Sequence, residues 1–182
     1  MVQTLVNGGA DSLVPVQLTK ERIVARAKEL GAEFVGFAPV DKWQHADVAA
    51  EFYPHKIWPQ TRAVVVLGVP LWLSIEQTLS LAIAKEQEKV TSDLLDEAAY
   101  RTAVFLNNKG YPSVNIPCDS NGENITDFPT VTVFSHVWAA HYAGLGQITQ
   151  NKVSAKWRPG TQWNLASILT AFELESEQLG GS

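Results

Sequence analysis

The 182 residues contain a single cysteine, Cys118, and a single methionine, Met1. One cysteine excludes an internal disulfide, and it excludes a Cys-ligated iron-sulfur cluster built from these residues alone. Its setting, Pro117-Cys118-Asp119-Ser120-Asn121-Gly122, is turn-like and predicts an exposed thiol with no neighbour arranged to activate it. Positive charge is also short: fourteen Lys and Arg against nineteen Asp and Glu leave a formal charge of −5, with no basic run able to follow a phosphate backbone. Nucleic acid is therefore not an expected partner. No window reaches the roughly 18 apolar residues of a membrane span, and Met1 to Ser12 lacks a basic region followed by an apolar core, so the expectation is a cytoplasmic protein off the membrane. His-Glu-x-x-His, a phosphate loop and Gly-x-Ser-x-Gly are all missing, which removes the usual signatures of metalloproteases, nucleotide triphosphatases and esterases.

What is present is the material of a globular core, 46% hydrophobic, arranged as alternating helices and strands. Thr19 caps a predicted helix from Lys20 to Leu30, with Ile23, Val24, Ala27 and Leu30 on one face and Gly31 just beyond. Residues 33–38 read as a short strand stopped by Pro39, and Ala63 to Val69 as a central strand apolar on both faces. Two further helices are expected. One runs from Ser74 to Lys89; the other, from Asp93 to Lys109, aligns Leu94, Leu95, Ala98, Thr102, Phe105 and Leu106, pairs Glu97 with Arg101 and ends at Gly110. Val114 to Ile116 and Thr130 to Val133 are short strand candidates around a long, mobile loop from Cys118 to Asp127, and Trp163 to Phe172 is a last strand. The pattern predicts a layered α+β domain over residues 17–175 with a mixed central sheet flanked by helices, an N-terminal arm at 1–16 and a flexible end at 176–182.

The stretch from Phe134 to Asn151 is the most informative. Ser135 can cap a short helix, Ala139, Ala140 and Ala143 let that helix approach another backbone closely, and Gly144 supplies the positive φ that ends it. Such a turn can sit against a large flat ligand. Gly144-Leu145-Gly146 is not a dinucleotide fingerprint, because it follows a helix and lacks the third glycine. His136 and His141, five apart, point about 140° from one another on a helix and cannot share a metal, so no metal site is assigned. His136 could donate a hydrogen bond to a ligand or complete the helix end; the Tyr142 phenol could supply a proton or pack in the core. The six tryptophans could line a slot for a planar ring or serve as packing, and Lys156-Trp157-Arg158-Pro159-Gly160 could meet an anionic ligand tail or form a solvated turn.

Four stretches read together resemble one family. They are residues 27–40, residues 58–70, Ala99-Tyr100-Arg101 through Lys109-Gly110-Tyr111, and Ser135-His136 through Ala143-Gly144-Leu145-Gly146 to Asn151, with Leu169-Thr170 near the end. The pattern is similar to the corrinoid-binding part of epoxyqueuosine reductases and reductive dehalogenases over roughly residues 17 to 175. The resemblance implies a nitroreductase-like fold that holds cobalamin without a protein ligand to cobalt, beside a separate ferredoxin-like module with two 4Fe-4S clusters. It implies that Ser135, His136, Gly144, Leu145, Gly146, Gln147 and Asn151 face the corrinoid, with His136 and Tyr142 as catalytic candidates. Two departures stand beside it. Epoxyqueuosine reductases carry an acidic proton donor fourteen residues before the first glycine of this run, where the present chain has Thr130, and the cysteine-rich segment that would hold the clusters has no counterpart. The expectation is a corrinoid-binding domain of an oxidoreductase that takes a small-molecule ligand and depends on an iron-sulfur donor outside these residues, separate or covalently following. A non-catalytic binding or assembly protein and a flavin-binding nitroreductase-like protein are the alternatives, and a homodimer is left open.

Overall fold

The computed structural model describes residues 18–71, 80–118, 134–149, 152–156 and 161–174. Helix α1 spans Lys20–Glu29, strand β1 Phe34–Pro39, and two short 3₁₀ segments, Val40–His45 and Ala50–Phe52, lead into α2, Pro54–Ile57. Strand β2 is Ala63–Pro70, α3 is Leu81–Asn108, β3 is Ser113–Ile116, and α4 is His136–Tyr142. Strands β4, Gly146–Thr149, and β5, Lys152–Ala155, precede β6, Trp163–Thr170.

The main sheet has the order β1-β2-β6-β3, and β4 pairs with β5 in a separate two-stranded ribbon. All three ladders of the main sheet are antiparallel, in the registers Phe34 to Gly68, Ala63 to Thr170 and Ser113 to Thr170. The layered α+β architecture agrees with the expectation from sequence, whereas the sheet among the described residues is antiparallel rather than mixed. The α3 connection is a parallel crossover, since β2 and β3 run the same way, but β6 is inserted between them and makes every hydrogen-bonded neighbour antiparallel.

Central strands β2 and β6 are covered on both faces, as their unbroken apolar runs require. Val65, Leu67, Ala166 and Ile168 pack toward Ile23 and Ala27 of α1 and Leu95, Ala98, Ala99, Ala103 and Leu106 of α3. Val64, Val66, Leu165 and Leu169 form the other face with Phe34, Trp43, Phe134, Ala139, Ala140, Leu145 and Val153. Each fully buried Val or Leu of β2 contributes roughly 1.5–3 kcal/mol of transfer free energy.

The start of α1 is as its residues predict: Thr19 Oγ1 accepts from the Arg22 N–H at 3.4 Å, and Gly31, at φ 107°, turns the chain toward β1. The helix expected from 74 to 89 and the one from 93 to 109 are instead a single 28-residue helix from Leu81, and residues 74–79 lie outside the described residues. Nothing between Lys89 and Asp93 breaks it; Thr91 donates its hydroxyl to the Gln87 carbonyl at 2.8 Å and so stays within the helix. The buried stripe is also rotated from expectation, with Leu94 exposed and Ala99 and Ala103 inward. Cys118, expected on the surface, is buried beside α3 because Asp96 accepts its N–H at 2.5 Å and draws the turn onto the helix. The Thr130–Val133 strand, the loop to Asp127, Asn151, Trp157 to Gly160 and both chain ends lie outside the described residues.

Candidate functional site

Helix α4 is built as its residues predict. Ser135 is extended, at φ −97° and ψ 98°, and its Oγ accepts from the Trp138 N–H at 3.3 Å. At the other end Gly144 has φ 86°, and the Leu145 N–H reaches back to the Ala140 carbonyl at 2.9 Å, closing the helix in a Schellman arrangement. Ala139 and Ala140 are fully buried, and α4 comes down on β1 at Gly36. A Cβ on Gly36 would stand 2.8 Å from the Ala143 carbonyl oxygen and 2.9 Å from the Ala143 Cβ, so only glycine admits this approach. Sequence reasoning finds the alanines but misses their receiver. The signal is there: a glycine inside a strand pattern marks a place where another backbone comes close.

His136 is 2% exposed and both ring nitrogens are engaged. Nε2 lies 2.8 Å from the Pro117 carbonyl oxygen, which can only accept, so Nε2 carries a proton. Nδ1 lies 2.8 Å from Ser167 Oγ, and in the neutral ring it accepts from that hydroxyl. The imidazole thus ties α4 to β6 and to the chain just after β3. His141 Nδ1–H donates to the Gly146 carbonyl at 2.9 Å and pins the start of the β4-β5 ribbon.

An aromatic layer covers this helix. Trp43 lies with its centroid 5.1 Å from Phe134 and 5.8 Å from Tyr142, and Trp138 is 5.4 Å from Tyr142. Trp43 is fully buried, so this tryptophan is core rather than slot lining. The Trp43 Nε1–H and the Tyr142 hydroxyl are buried without a hydrogen-bond partner among the described residues. Burial pushes the Tyr142 phenol above its ordinary value, and nearby Tyr53 adds to the shift. On the opposite face of the sheet, burial pushes the Asp96 carboxyl up against the lowering effect of the Cys118 N–H, with Asp93 adding to the rise. Ser92 there accepts from the Cys118 thiol at 3.8 Å and from the Asn164 amide at 3.2 Å.

The residues assigned from sequence therefore come together around one short helix, but they divide. Leu145 and Gly146 are buried, His136 is committed to Pro117 and Ser167, and Ser135 to the helix cap. Gly144 and Gln147 are exposed, and the space beyond the Gly144 Cα is open. Asn151 falls outside the described residues. No group of three or more His, Cys, Asp or Glu that could hold a metal occurs among the described residues, and no described helix is long and apolar enough to cross a membrane. The Gly144 turn and the Gln147 side chain are the members of the assigned set left open to a ligand.

No family model matches this sequence, and neither does any curated protein. Solved structures do. An epoxyqueuosine reductase bound to a tRNA-Tyr stem loop matches at 15% identity and TM-score 0.58, over 86% of this chain and 46% of its own. The epoxyqueuosine reductase from Streptococcus thermophilus matches at 18% identity and TM-score 0.57, over 87% and 47%. A reductive dehalogenase described in terms of B12-dependent dehalogenation matches at 18% identity and TM-score 0.55, over 82% and 20%. The chain has the fold of the matched part of these structures, and spans just under half of the two epoxyqueuosine reductases and a fifth of the dehalogenase. The two kinds of protein that the sequence resembles are the two whose fold it shares.

Proposed function

We propose that this chain is a corrinoid-binding domain of a reductase, related to the epoxyqueuosine reductases and reductive dehalogenases and supplied with electrons from outside residues 1–182. The observation that carries the reading is the shared fold over 82–87% of the chain, joined to an exposed glycine turn at the end of α4. When bound, the corrinoid supplies the electron-rich cobalt for reductive removal of oxygen or halogen. The chain's own residues bind and orient. Gly144, with no side chain, leaves the turn accessible to a flat ring, and the Gln147 amide offers both a donor and acceptors at its edge. His136 holds the start of α4 in place through Pro117 and Ser167 and is assigned a positioning role. Tyr142, whose buried hydroxyl has no partner among the described residues, is the candidate to hold a proton. Cys118, buried against Ser92 and Asp96, takes no part in electron entry, so a ferredoxin-like iron-sulfur module outside residues 1–182, separate or covalently following, is the expected donor.

Mixing the protein with cob(II)alamin should shift the visible spectrum, and Gln147→Ala should weaken the titration without moving the melting temperature. An unchanged spectrum at high micromolar protein would sink the proposal. Thr130, standing where epoxyqueuosine reductases carry an acid, favours a second reading: a non-catalytic binding or assembly protein on the same fold. Ligand-dependent reduction of any substrate eliminates that reading, and a yellow preparation that releases flavin on denaturation would decide for a flavoprotein instead.

A further inference from the structure

Five of the six large apolar side chains exposed among the described residues, Ile83, Val90, Leu94, Tyr100 and Val104, lie on α3, and Leu94 is 60% exposed. At 3.6 residues per turn Ile83, Val90 and Leu94 project within about 20° of one line, Val104 about 60° from it, and Tyr100 further round on the same side. The opposite side of α3 is already covered, with Leu95, Ala98, Thr102 and Leu106 buried against the sheet. A helix that packs on a sheet ordinarily turns a polar face outward, and this one carries Ile83, Val90 and Leu94 there in an apolar line about 16 Å long, with Val104 beyond the Glu97–Arg101 pair. Charge on the same face chooses between occupants and orientations. Glu97 and Arg101 pair at 2.6 Å, and Glu86 is exposed a few turns earlier. A parallel copy of α3 would set Glu97 against Glu97 and Arg101 against Arg101. An antiparallel copy crossing at Leu94 sets Ile83 against Val104 and Glu86 against Arg101, twice by symmetry, with the two Leu94 side chains adjacent at the axis.

We propose that the exposed face of α3 is the self-association surface of this protein, on which a second copy packs its own α3 antiparallel across Leu94 in a two-fold dimer. One helix face, roughly 10 Å wide, falls short of the roughly 800 Å² per partner of a standard stable interface, so the dimer is a weak, transient one. Sedimentation velocity from about 1 μM to about 1 mM should follow a monomer-to-dimer rise. Leu94→Glu places two like charges at the axis and should weaken association roughly tenfold or more, with an unchanged far-UV circular dichroism spectrum because the side chain is exposed. E86R and R101E should each weaken the dimer, and the double variant should recover it. A monomer at every concentration, or a dimer as tight in Leu94→Glu as in the parent, overturns the proposal; a double variant as weak as the singles overturns the antiparallel register.

Discussion

On the face of the sheet carried by α1 and α3, Val65, Leu67, Ala166 and Ile168 meet Ile23, Leu95, Ala98 and Leu106, side chain against side chain. On the face carried by α4, the contact is closer and of another kind: backbone meets backbone at Gly36 and Ala143, and a histidine fills both of its hydrogen bonds inside the core. The first face is specified by apolar volume, which many sequences can supply. The second is specified by atoms that cannot be exchanged, a missing Cβ and a donor-acceptor pair at fixed positions. That difference in tolerance marks α4, rather than the longer α3, as the element whose geometry is tuned.

The severest test of this contrast is Gly36→Val, which drives a branched side chain into the Ala143 backbone and should cost about 3 kcal/mol or more by denaturant titration. His136→Leu comes next. It leaves the Pro117 carbonyl and the Ser167 hydroxyl without their partner and should cost about 2 kcal/mol. On the other face Leu106→Met, which conserves volume, should cost under about 1.5 kcal/mol; a loss matching that of His136→Leu would erase the distinction between the faces. Smaller still is the titration of Asp96. Its folded pKa is raised above the unfolded value of about 3.9, so the folded state holds the proton more tightly and the group's contribution improves as pH falls through the folded value. Asp96→Asn, which keeps an oxygen to accept from Cys118, should therefore be at least as stable as the parent at neutral pH, and the gap should close toward about pH 4 in paired thermal melts. Tyr142→Phe should have the smallest effect, within about 1 kcal/mol and of stabilising sign, because it removes a buried hydroxyl with no partner among the described residues. A larger loss would reveal a bond from that hydroxyl to residues beyond those described.

Much of the α4 region is legible in the amino-acid sequence. Ser135 as cap, the alanines as small packing residues and Gly144 as the left-handed stop are each read from one residue type and its neighbours, and each holds in the folded chain. The ribbon of β4 and β5 is not legible, since Gly146 to Ala155 shows no sustained alternation over such short strands. Helix α3 reads as two because Thr91 and Ser92 are weak helix formers, and a propensity cannot foresee that Thr91 will bond back to Gln87. Periodicity places Leu94 inward, yet the rotation of a helix about its axis is set by the sheet beneath it.

The types of α1, β1, β2, α4 and β6, the helix caps, the two-sided burial of β2 and β6 and the resemblance to corrinoid reductases all follow from the order of the amino acids, because they rest on spacing and on local backbone preference. Which atoms those elements bring together is a matter of tertiary packing. His136 meets Ser167 across 31 positions of chain, Gly36 receives Ala143, and Cys118 turns inward onto Asp96. Contacts between residues distant in the chain follow from how the layers close on one another, and that closure is a property of the whole core.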